Sequence, residues 1–423
     1  MCHKLIAFLV STLILVSSSQ ADQWPQWRGP YSNGVAQGKG YPTQWSSDKN
    51  ISWKYKLSER GSSTPAVWNN YIFLTGARND TNLVSCLDRQ GKLLWEATIG
   101  KARNVRHKKG SSCNPSPATD GKYVFVYFKS GDFACLDFQG KLIWKKNLQA
   151  DFGKDTLWFD LGTSPVLTSK LVVVACIHSG PSYLAGFEKA TGKLVWKADR
   201  NLNAPEEAAQ TYSSPVVVAE KGKETIFVLG ADHVTAHDAT SGKEVWRVGG
   251  LNPESNRLFR SIASPVATSK MVIAPYARGK TLTAIQTGGT GNVTESHVRW
   301  TKSGVSADVP TPIAYQGKVY VCNDRGKFTC LDMNTGEQLW SQQLPKGRGG
   351  FSASPILADG HFYLVREDGT TFVLENKEAG KLLATNKLDG FVTATPVFAD
   401  GQILLRTFEH LYCISQRTSP QGR

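Results

Sequence analysis

A Ser-Pro or Thr-Pro dipeptide followed by a small apolar residue recurs eight times along this chain, at intervals of 41 to 52 residues. Its prolines are Pro65, Pro117, Pro165, Pro215, Pro265, Pro312, Pro355 and Pro396. A second series, out of phase with the first, consists of Trp53, Trp95, Trp144, Trp196, Trp246, Trp300 and Trp340, with Ala384 in the eighth place. Repetition at a period of this size indicates one supersecondary unit that is copied and stacked. The chain is therefore expected to fold as an array of eight similar units.

The sixth copy shows the secondary structure of one unit most clearly. Residues 318–323 and 327–332 contain alternating β-branched and aromatic side chains, and a turn with Gly326 separates them. This pattern predicts a β-hairpin. A strand that begins at the Ser/Thr-Pro dipeptide and another that leads to the tryptophan complete four antiparallel strands, named A to D in chain order. Because helical periodicity is absent, eight such units predict an all-β fold, an eight-bladed β-propeller of four-stranded antiparallel blades.

The two ends of the chain complement one another. The last copy supplies strands A, B and C within residues 395–414 but no strand D, whereas residues 51–55 resemble a strand D and precede the first strand A. Pairing between these two segments would close the ring and leave no open sheet edge. We therefore predict a ring that is closed by an N-terminal strand.

Four regions are expected along the chain. Residues 1–21 have a basic start, an apolar run and a small-x-small end at Ala21, which are the features of a secretory signal peptide cleaved near Ala21. Residues 22–50 form a lead segment, residues 51–415 the propeller and residues 416–423 a C-terminal tail. No apolar run is long enough to span a bilayer, so no transmembrane segment is predicted. The mature protein is expected to be a monomer in the periplasm or secreted.

Charge and cysteine content constrain the partners. The formal net charge is +14, which favours anionic surfaces. The basic residues are scattered rather than gathered in blocks, so specific nucleic-acid binding is not predicted. Equivalent strand C positions in different copies carry Cys86, Cys135, Cys330 and Cys413. Such positions are too far apart for disulfides, and we expect buried free thiols. The cysteine spacings predict no metal site.

The turn before strand D carries a family resemblance. Residues 188–196 (EKATGKLVW), 238–246 (DATSGKEVW) and 332–340 (DMNTGEQLW) resemble the tryptophan-docking motif of pyrroloquinoline-quinone (PQQ) propellers. The resemblance covers roughly residues 51–415, and residues 24–30 (WPQWRGP) are similar to the start of secreted PQQ-repeat proteins. It implies that seven tryptophans dock between adjacent blades: Trp53, Trp95, Trp144, Trp196, Trp246, Trp300 and Trp340. We expect five of them to be largely buried, namely Trp95, Trp144, Trp196, Trp246 and Trp340.

Two functional branches share the architecture that the resemblance implies. One contains the PQQ-dependent alcohol and sugar dehydrogenases, and the other contains non-catalytic propellers similar to BamB, the outer-membrane assembly lipoprotein. The calcium ligands and catalytic carboxylates of the enzymes align with no residue set here, so no catalytic residue is assigned and PQQ with calcium lacks specific support. We favour a non-catalytic binding or scaffold propeller. A PQQ-dependent oxidoreductase acting on alcohols or sugars and a glycan-binding or polysaccharide-processing propeller stay open as alternatives.

One face of the ring carries the candidate ligand-binding residues. The D-to-A and B-to-C connections of a four-stranded blade emerge on the same face. Arginine offers a planar donor fork for carboxylate or phosphate, so a protein partner or a small anionic ligand is expected there. The alternative is that these arginines are solvated or pair with Asp324, Glu367, Asp368 and Glu409. The predicted ligand-binding residues are Arg260, Arg278, Arg325, Arg348, Arg366, Tyr212, Phe351 and Asp308.

Overall fold

The computed structural model describes residues 22–416, apart from the side chain of residue 378. The predicted signal peptide and all of the tail beyond residue 416 lie outside the described residues. The described chain forms eight sheets, one for each repeat, in which neighbouring strands follow the order A to D. The prediction of an all-β, eight-bladed propeller is confirmed.

The strands of blades 1 to 4 have the following bounds, with A to D in order. Blade 1 contains Ala66–Trp68, Tyr71–Arg78, Thr81–Asp88 and Leu93–Lys101; blade 2 contains Ala118–Thr119, Tyr123–Tyr127, Asp132–Asp137 and Leu142–Asn147; blade 3 contains Val166–Leu167, Leu171–Cys176, Tyr183–Glu188 and Leu194–Asp199; blade 4 contains Val216–Glu220, Lys223–Gly230, His233–Asp238 and Glu244–Val248. A fifth strand, Gly291–Asn292, pairs in parallel with strand D of blade 4.

The remaining blades follow the same order. Blade 5 contains Val266–Ala267, Met271–Tyr276, Thr281–Gln286 and Val298–Ser303; blade 6 contains Ile313–Tyr315, Lys318–Cys322, Lys327–Asp332 and Gln338–Gln343; blade 7 contains Ile356–Ala358, His361–Val365, Thr370–Glu375 and Leu382–Lys387; blade 8 contains Val397–Ala399, Gln402–Arg406, His410–Ile414 and Ile51–Lys56. Short helical turns lie in the connections, at Leu148–Phe152, Glu206–Ala209, Ala277–Gly279, Thr294–His297 and Glu378–Gly380. Among residues 22–416, no helix has the length and apolar character that a membrane span requires.

Strand Ile51–Lys56 pairs antiparallel with strand His410–Ile414, with Trp53 opposite Cys413. The last sheet therefore takes three strands from the C-terminal end of the chain and one from the N-terminal side. This pairing confirms the predicted closure of the ring by an N-terminal strand.

Apolar side chains of strands B and C fill the space between blades. Phe133 of blade 2, for example, packs edge to face on Phe187 of blade 3, with ring centroids 5.3 Å apart. All seven cysteines of the described chain are buried and free. Burial raises the pKa of the Cys330 thiol to about 11 and that of Cys86 to about 12. The expectation of buried free thiols is therefore confirmed.

The tryptophan of each strand D lies against the next blade. In six of the seven cases the indole covers a glycine of that blade's C-to-D turn, and a Cβ on the glycine would lie 2.3–2.8 Å from the ring. Five of these indole N–H groups donate to a backbone carbonyl of the next blade at 2.8–3.2 Å. Trp246 instead lies beside the added strand Gly291–Asn292. Trp196 and Trp246 are buried, and Trp95, Trp144 and Trp340 are half-buried, although all five lie on strand D, the outermost strand of each blade.

The lead segment closes one end of the central channel. Trp24 exchanges backbone hydrogen bonds with Val67, in strand A of blade 1, and residues 34–36 bond to Leu357, in strand A of blade 7. Between these anchors, the fully buried Arg28 donates to the carbonyl oxygens of Pro355, at 3.0 Å, and Pro312. Burial lowers the pKa of Arg28 to about 9, so the guanidinium stays charged at neutral pH. The channel is consequently open only on the side of the D-to-A and B-to-C connections.

Candidate functional site

The Ser and Thr residues of the eight dipeptides form a hydrogen-bonded ring around the channel. In seven steps the backbone N–H of one residue donates, at 2.8–3.1 Å, to the hydroxyl oxygen of its equivalent in the next blade. At the eighth step the hydroxyl of Thr64 donates to the carbonyl oxygen of Thr395 at 3.0 Å. We call this set the hydroxyl belt. Its members, each 1–4% exposed, are Thr64, Ser116, Ser164, Ser214, Ser264, Thr311, Ser354 and Thr395.

The belt leaves most of its hydrogen-bond donors unused. A hydroxyl group can donate one hydrogen bond and accept two. Among the described residues, only Thr64 of the belt uses its hydroxyl as a donor, and the other seven hydroxyls act as acceptors. All eight residues line one central cavity. Seven hydroxyl groups of the cavity lining therefore have an unused donor among the described residues.

A second ring of residues lies two positions before the belt. Because side chains alternate along extended backbone, residues two apart face the same side. We call this second set the variable ring, since it contains no common residue type. It consists of Ser62, Asn114, Gly162, Tyr212, Ile262, Val309, Ser352 and Thr393, all of which line the cavity. The apolar members precede blades 4 to 6 and the polar members precede blades 7, 8, 1 and 2, so the cavity has one apolar and one polar half.

The cavity has a volume of about 480 Å³, within the range of about 300–1,000 Å³ that is usual for ligand sites. Trp27 of the lead segment belongs to its lining, and Phe159 lies at the mouth. The Tyr212 hydroxyl accepts a hydrogen bond from the Phe159 N–H at 3.1 Å and donates to Oε1 of Gln210 at 2.9 Å. These bonds fix the two aromatic rings, whose centroids are 6.1 Å apart, at the apolar half of the cavity.

Charged side chains at the mouth are paired with one another. Arg260 lies between two carboxylates, with Nε 3.3 Å from Glu207 and Nη2 3.1 Å from Asp308. Lys109 lies 2.5 Å from Glu367, and the buried Lys129 pairs with Asp160.

The oxygens of Asp324 accept hydrogen bonds from the N–H groups of Asp308 and Val309. Burial raises the pKa of Asp324. The charged lining residues and their ion-pair partners thus comprise three cations (Lys109, Lys129 and Arg260) and five carboxylates (Asp160, Glu207, Asp308, Asp324 and Glu367).

The structure brings three of the predicted ligand-binding residues, Tyr212, Arg260 and Asp308, into this cavity. The other five lie elsewhere, at Arg278, Arg325, Arg348, Arg366 and Phe351. Arg278, Arg325 and Arg348 are exposed. The five predicted arginines therefore do not lie around one site. Anion binding by them stays a prediction.

Two of these residues have structural contacts instead. The buried Arg366 donates to both carboxylate oxygens of Asp368, at 3.1 and 3.0 Å, and to the Pro345 carbonyl at 2.7 Å. Phe351 is also buried, with its ring centroid 6.1 Å from that of Phe372, rather than placed at the mouth. The guanidinium of Arg366 is thus committed to its own carboxylate, which is the alternative that the sequence left open.

Arg278 and Arg325 share a groove between blades 5 and 6 that adjoins the central cavity at Asp308 and Asp324. This groove has a volume of about 860 Å³ and also contains Asp324 and Asn252. Ala277 and Arg278, at its wall, both have left-handed backbone conformations, with φ of 55° and 54°. This geometry turns the hairpin between strands B and C and leaves the Arg278 side chain exposed.

The residues of the cavity do not fit a calcium-bound quinone. Calcium takes six to eight oxygen ligands, commonly from several carboxylates. Within residues 22–416, no three or more His, Cys, Asp or Glu side chains are grouped so that they could hold a metal ion. Asp160 and Asp308 are held by Lys129 and Arg260, and Asp324 by two backbone N–H groups. No reaction step through a quinone is derived from this site.

Several site residues are not identified by the sequence reasoning. The Ser/Thr-Pro repeat indicated only the start of strand A, although a hydroxyl at every copy was a signal for contact between copies. The variable ring has no shared residue type, and only the offset of two residues from the belt could have revealed it. Glu207 and Lys129 carry no periodic signal at all.

Comparisons with known proteins agree with this geometry. A family model described as "Outer membrane protein assembly factor BamB" matches residues 80–247, 162–298 and 233–382. The protein of that name from Yersinia pestis is 24% identical over 354 residues, which cover 81% of each chain. The crystal structure of BamB from Moraxella catarrhalis superposes with a TM-score of 0.62 at 16% identity, covering 86% of this chain and 98% of that one.

An enzyme has the same fold. The quinohemoprotein alcohol dehydrogenase from Comamonas testosteroni superposes with a TM-score of 0.69 at 12% identity, covering 96% of this chain and 83% of the enzyme. At such low identity, the likeness shows the architecture and does not transfer an activity. The family model, by contrast, matches well over half of the sequence itself. The chain therefore belongs to the family of BamB-like PQQ-repeat β-propellers.

Proposed function

We propose that this protein is a non-catalytic binding or scaffold propeller that acts outside the cytoplasm and docks a partner protein on its open face. The observation that carries the proposal is a group of three interlocked D-to-A loops beside the cavity mouth. These are residues 148–163, 200–212 and 249–262, which we call the loop wall.

The loops of the wall hold one another in place. The Trp158 N–H donates to Oε1 of Gln210 at 2.7 Å, the Ala208 N–H to the Arg257 carbonyl at 3.1 Å, and the Tyr212 N–H to the Ser261 carbonyl at 2.8 Å. Trp158 nevertheless remains 46% exposed and Leu258 43% exposed. Exposed apolar side chains on a preorganised support are suited to protein recognition, in which tryptophan is an enriched hot-spot residue.

The family membership supports a binding role, since the matched family is described by an assembly factor. The oxidoreductase alternative receives no support from the cavity, because its carboxylates are already engaged by cations or backbone N–H groups. Its test is direct: purified protein mixed with PQQ and calcium should acquire no quinone absorbance and reduce no dye with alcohols or sugars. Cleavage of the signal peptide near Ala21 is part of the proposal, and N-terminal sequencing of the mature protein checks it.

The docking surface can be tested by photo-crosslinking in the producing cells. A photoreactive phenylalanine analogue at position 158 should capture a discrete partner, identified by mass spectrometry. The same analogue at Tyr31, which is 63% exposed on the lead segment, is the matched control and should not. With that partner purified, Trp158→Ala should weaken binding about tenfold or more. Equal capture at both positions, or unchanged affinity of the variant, would overturn the proposal.

A further inference from the structure

The central cavity contains buried donors that lack partners. Besides the seven unused O–H groups of the belt, Nη1 of Arg260 and the hydroxyl of Thr393 are buried and have no hydrogen-bond partner among the described residues. Arg260 is itself only 9% exposed, and both residues line the cavity. A buried polar group without a partner costs roughly 1–3 kcal/mol. These donors, gathered around one space, are suited to an occupant that carries several acceptor oxygens.

The charge of the cavity argues against an anionic occupant. Five carboxylates face three cations among the charged lining residues and their partners. An added carboxylate or phosphate would therefore meet a net negative surrounding. The oxygens of Asp308 and Asp324 at the mouth are instead suited to accept hydrogen bonds. The occupant should thus be neutral and offer donors as well as acceptors.

The apolar half of the cavity requires that the occupant also has an apolar face. Tyr212, Ile262 and Val309 stand together on the variable ring, with Phe159 at the mouth. Hydroxyl groups both donate and accept, while the C–H face of a sugar ring is apolar and packs on aromatic side chains. We propose that the cavity binds a small neutral carbohydrate, a monosaccharide or disaccharide, with its C–H face on Tyr212 and Phe159 and its hydroxyls toward the belt. The site uses side chains of the loop wall that face the cavity, Phe159, Tyr212 and Ile262, whereas the partner proposed above contacts the exposed Trp158 and Leu258. The two proposals therefore do not depend on one another.

Calorimetric titration and saturation-transfer NMR with the purified mature protein test this inference. The probes are glucose, galactose, N-acetylglucosamine, maltose and cellobiose, with glucuronate as the anionic analogue and glucosamine as the cationic one. At least one neutral sugar should bind one to one with a Kd of about 1 mM or tighter. Glucuronate should bind about tenfold more weakly than glucose, because of the carboxylates at the mouth.

Two pairs of variants locate the site. Ile262→Trp fills the cavity and should abolish binding, whereas Leu258→Trp, on the exposed loop wall, should leave it unchanged. Thr393→Val removes one unpaired hydroxyl at nearly constant volume and should weaken binding severalfold. Thr371→Val removes another buried unpaired hydroxyl that does not line the cavity, and it should have no effect.

Each result bears on the inference. Binding that responds to Ile262→Trp and Thr393→Val but not to the two controls supports it. The absence of binding by every neutral sugar overturns it, as does tighter binding of glucuronate or equal binding by the Thr393 and Thr371 variants. If Ile262→Trp fails to fold, the isosteric threonine pair still decides the matter.

Discussion

The hydroxyl belt and the variable ring lie two residues apart on the same eight segments, yet they differ in what they contact. Each belt residue bonds to its equivalent in a neighbouring blade, so a change in one copy breaks a contact with another. A variable-ring residue such as Ile262 faces the cavity and carries no such bond between copies. The first set retains Ser or Thr at all eight positions, and the second ranges from glycine to tyrosine.

This difference separates architecture from chemistry. Periodic positions keep one residue type because their partners are other copies of the same unit. Positions that face the channel are free to differ, and they divide into an apolar and a polar half. In a propeller of this kind, function should therefore be sought where the repeat departs from its own pattern.

The largest effect should come from a periodic position at the outer side of the ring. Trp196 is 8% exposed, covers Gly242 and donates to the Ala239 carbonyl at 3.2 Å. Trp196→Ala should lower the free energy of unfolding by about 3–5 kcal/mol, measured by chemical denaturation. Leu194→Ala, on the same strand but 39% exposed, should change it by less than about 1 kcal/mol. Similar values for the two variants would show that the tryptophan does not dock.

The belt offers the next test. Thr311→Val keeps the shape of the side chain but removes the acceptor of the Ser264 N–H, which donates to Thr311 at 2.9 Å. A buried N–H without a partner should cost about 1–3 kcal/mol of unfolding free energy. Thr311→Ser retains the acceptor and should recover most of this loss. A variant as stable as the wild type would mean that the belt bond contributes nothing.

The sequence predicted the features that depend on repetition. The blade count, the four strands of each blade and the pairing of residues 51–55 with the last copy all follow from alternation, turns and spacing. A sequence motif does not report that strand D is outermost, so it does not give the exposed fraction of each tryptophan. Trp340, for instance, is only half-buried.

The candidate site was only partly predictable, because its contacts join distant loops. Position in a turn suggested that Arg366 lies at the ligand-binding face, but its pairing with Asp368 two residues later is a local contact that competes with any ligand. Glu207 reaches Arg260 from another loop, and this ion pair offsets the positive charge that was expected there. No periodicity or motif encodes such pairs, because they depend on how the irregular loops are positioned relative to one another.

Acid pH should lower the free energy of unfolding through Asp368, a carboxylate that is held by local contacts. Burial would raise the pKa of Asp368, but hydrogen bonds from Arg366 and Thr370 outweigh it and lower the pKa from 3.8 to about 2. The stabilisation is complete above the unfolded value and is lost as the pH falls toward 2. The free energy of unfolding should therefore decline between about pH 4.5 and 2, by less than about 1 kcal/mol from this partly exposed group. Asp368→Asn should flatten that decline, and an unchanged slope would contradict the assignment.

The smallest effect should come from the variable ring, and it is the sharpest test of the comparison. Thr393 is chemically equivalent to Thr311, but its buried hydroxyl has no hydrogen-bond partner in the described part of the chain. Thr393→Val removes a desolvated polar group without orphaning any other, so the free energy of unfolding should stay within about 0.5 kcal/mol of wild type or rise slightly. The same substitution thus costs stability on the belt and costs none two positions earlier. Should both variants lose equal stability in denaturant titrations, the division between structural belt and functional ring would be wrong.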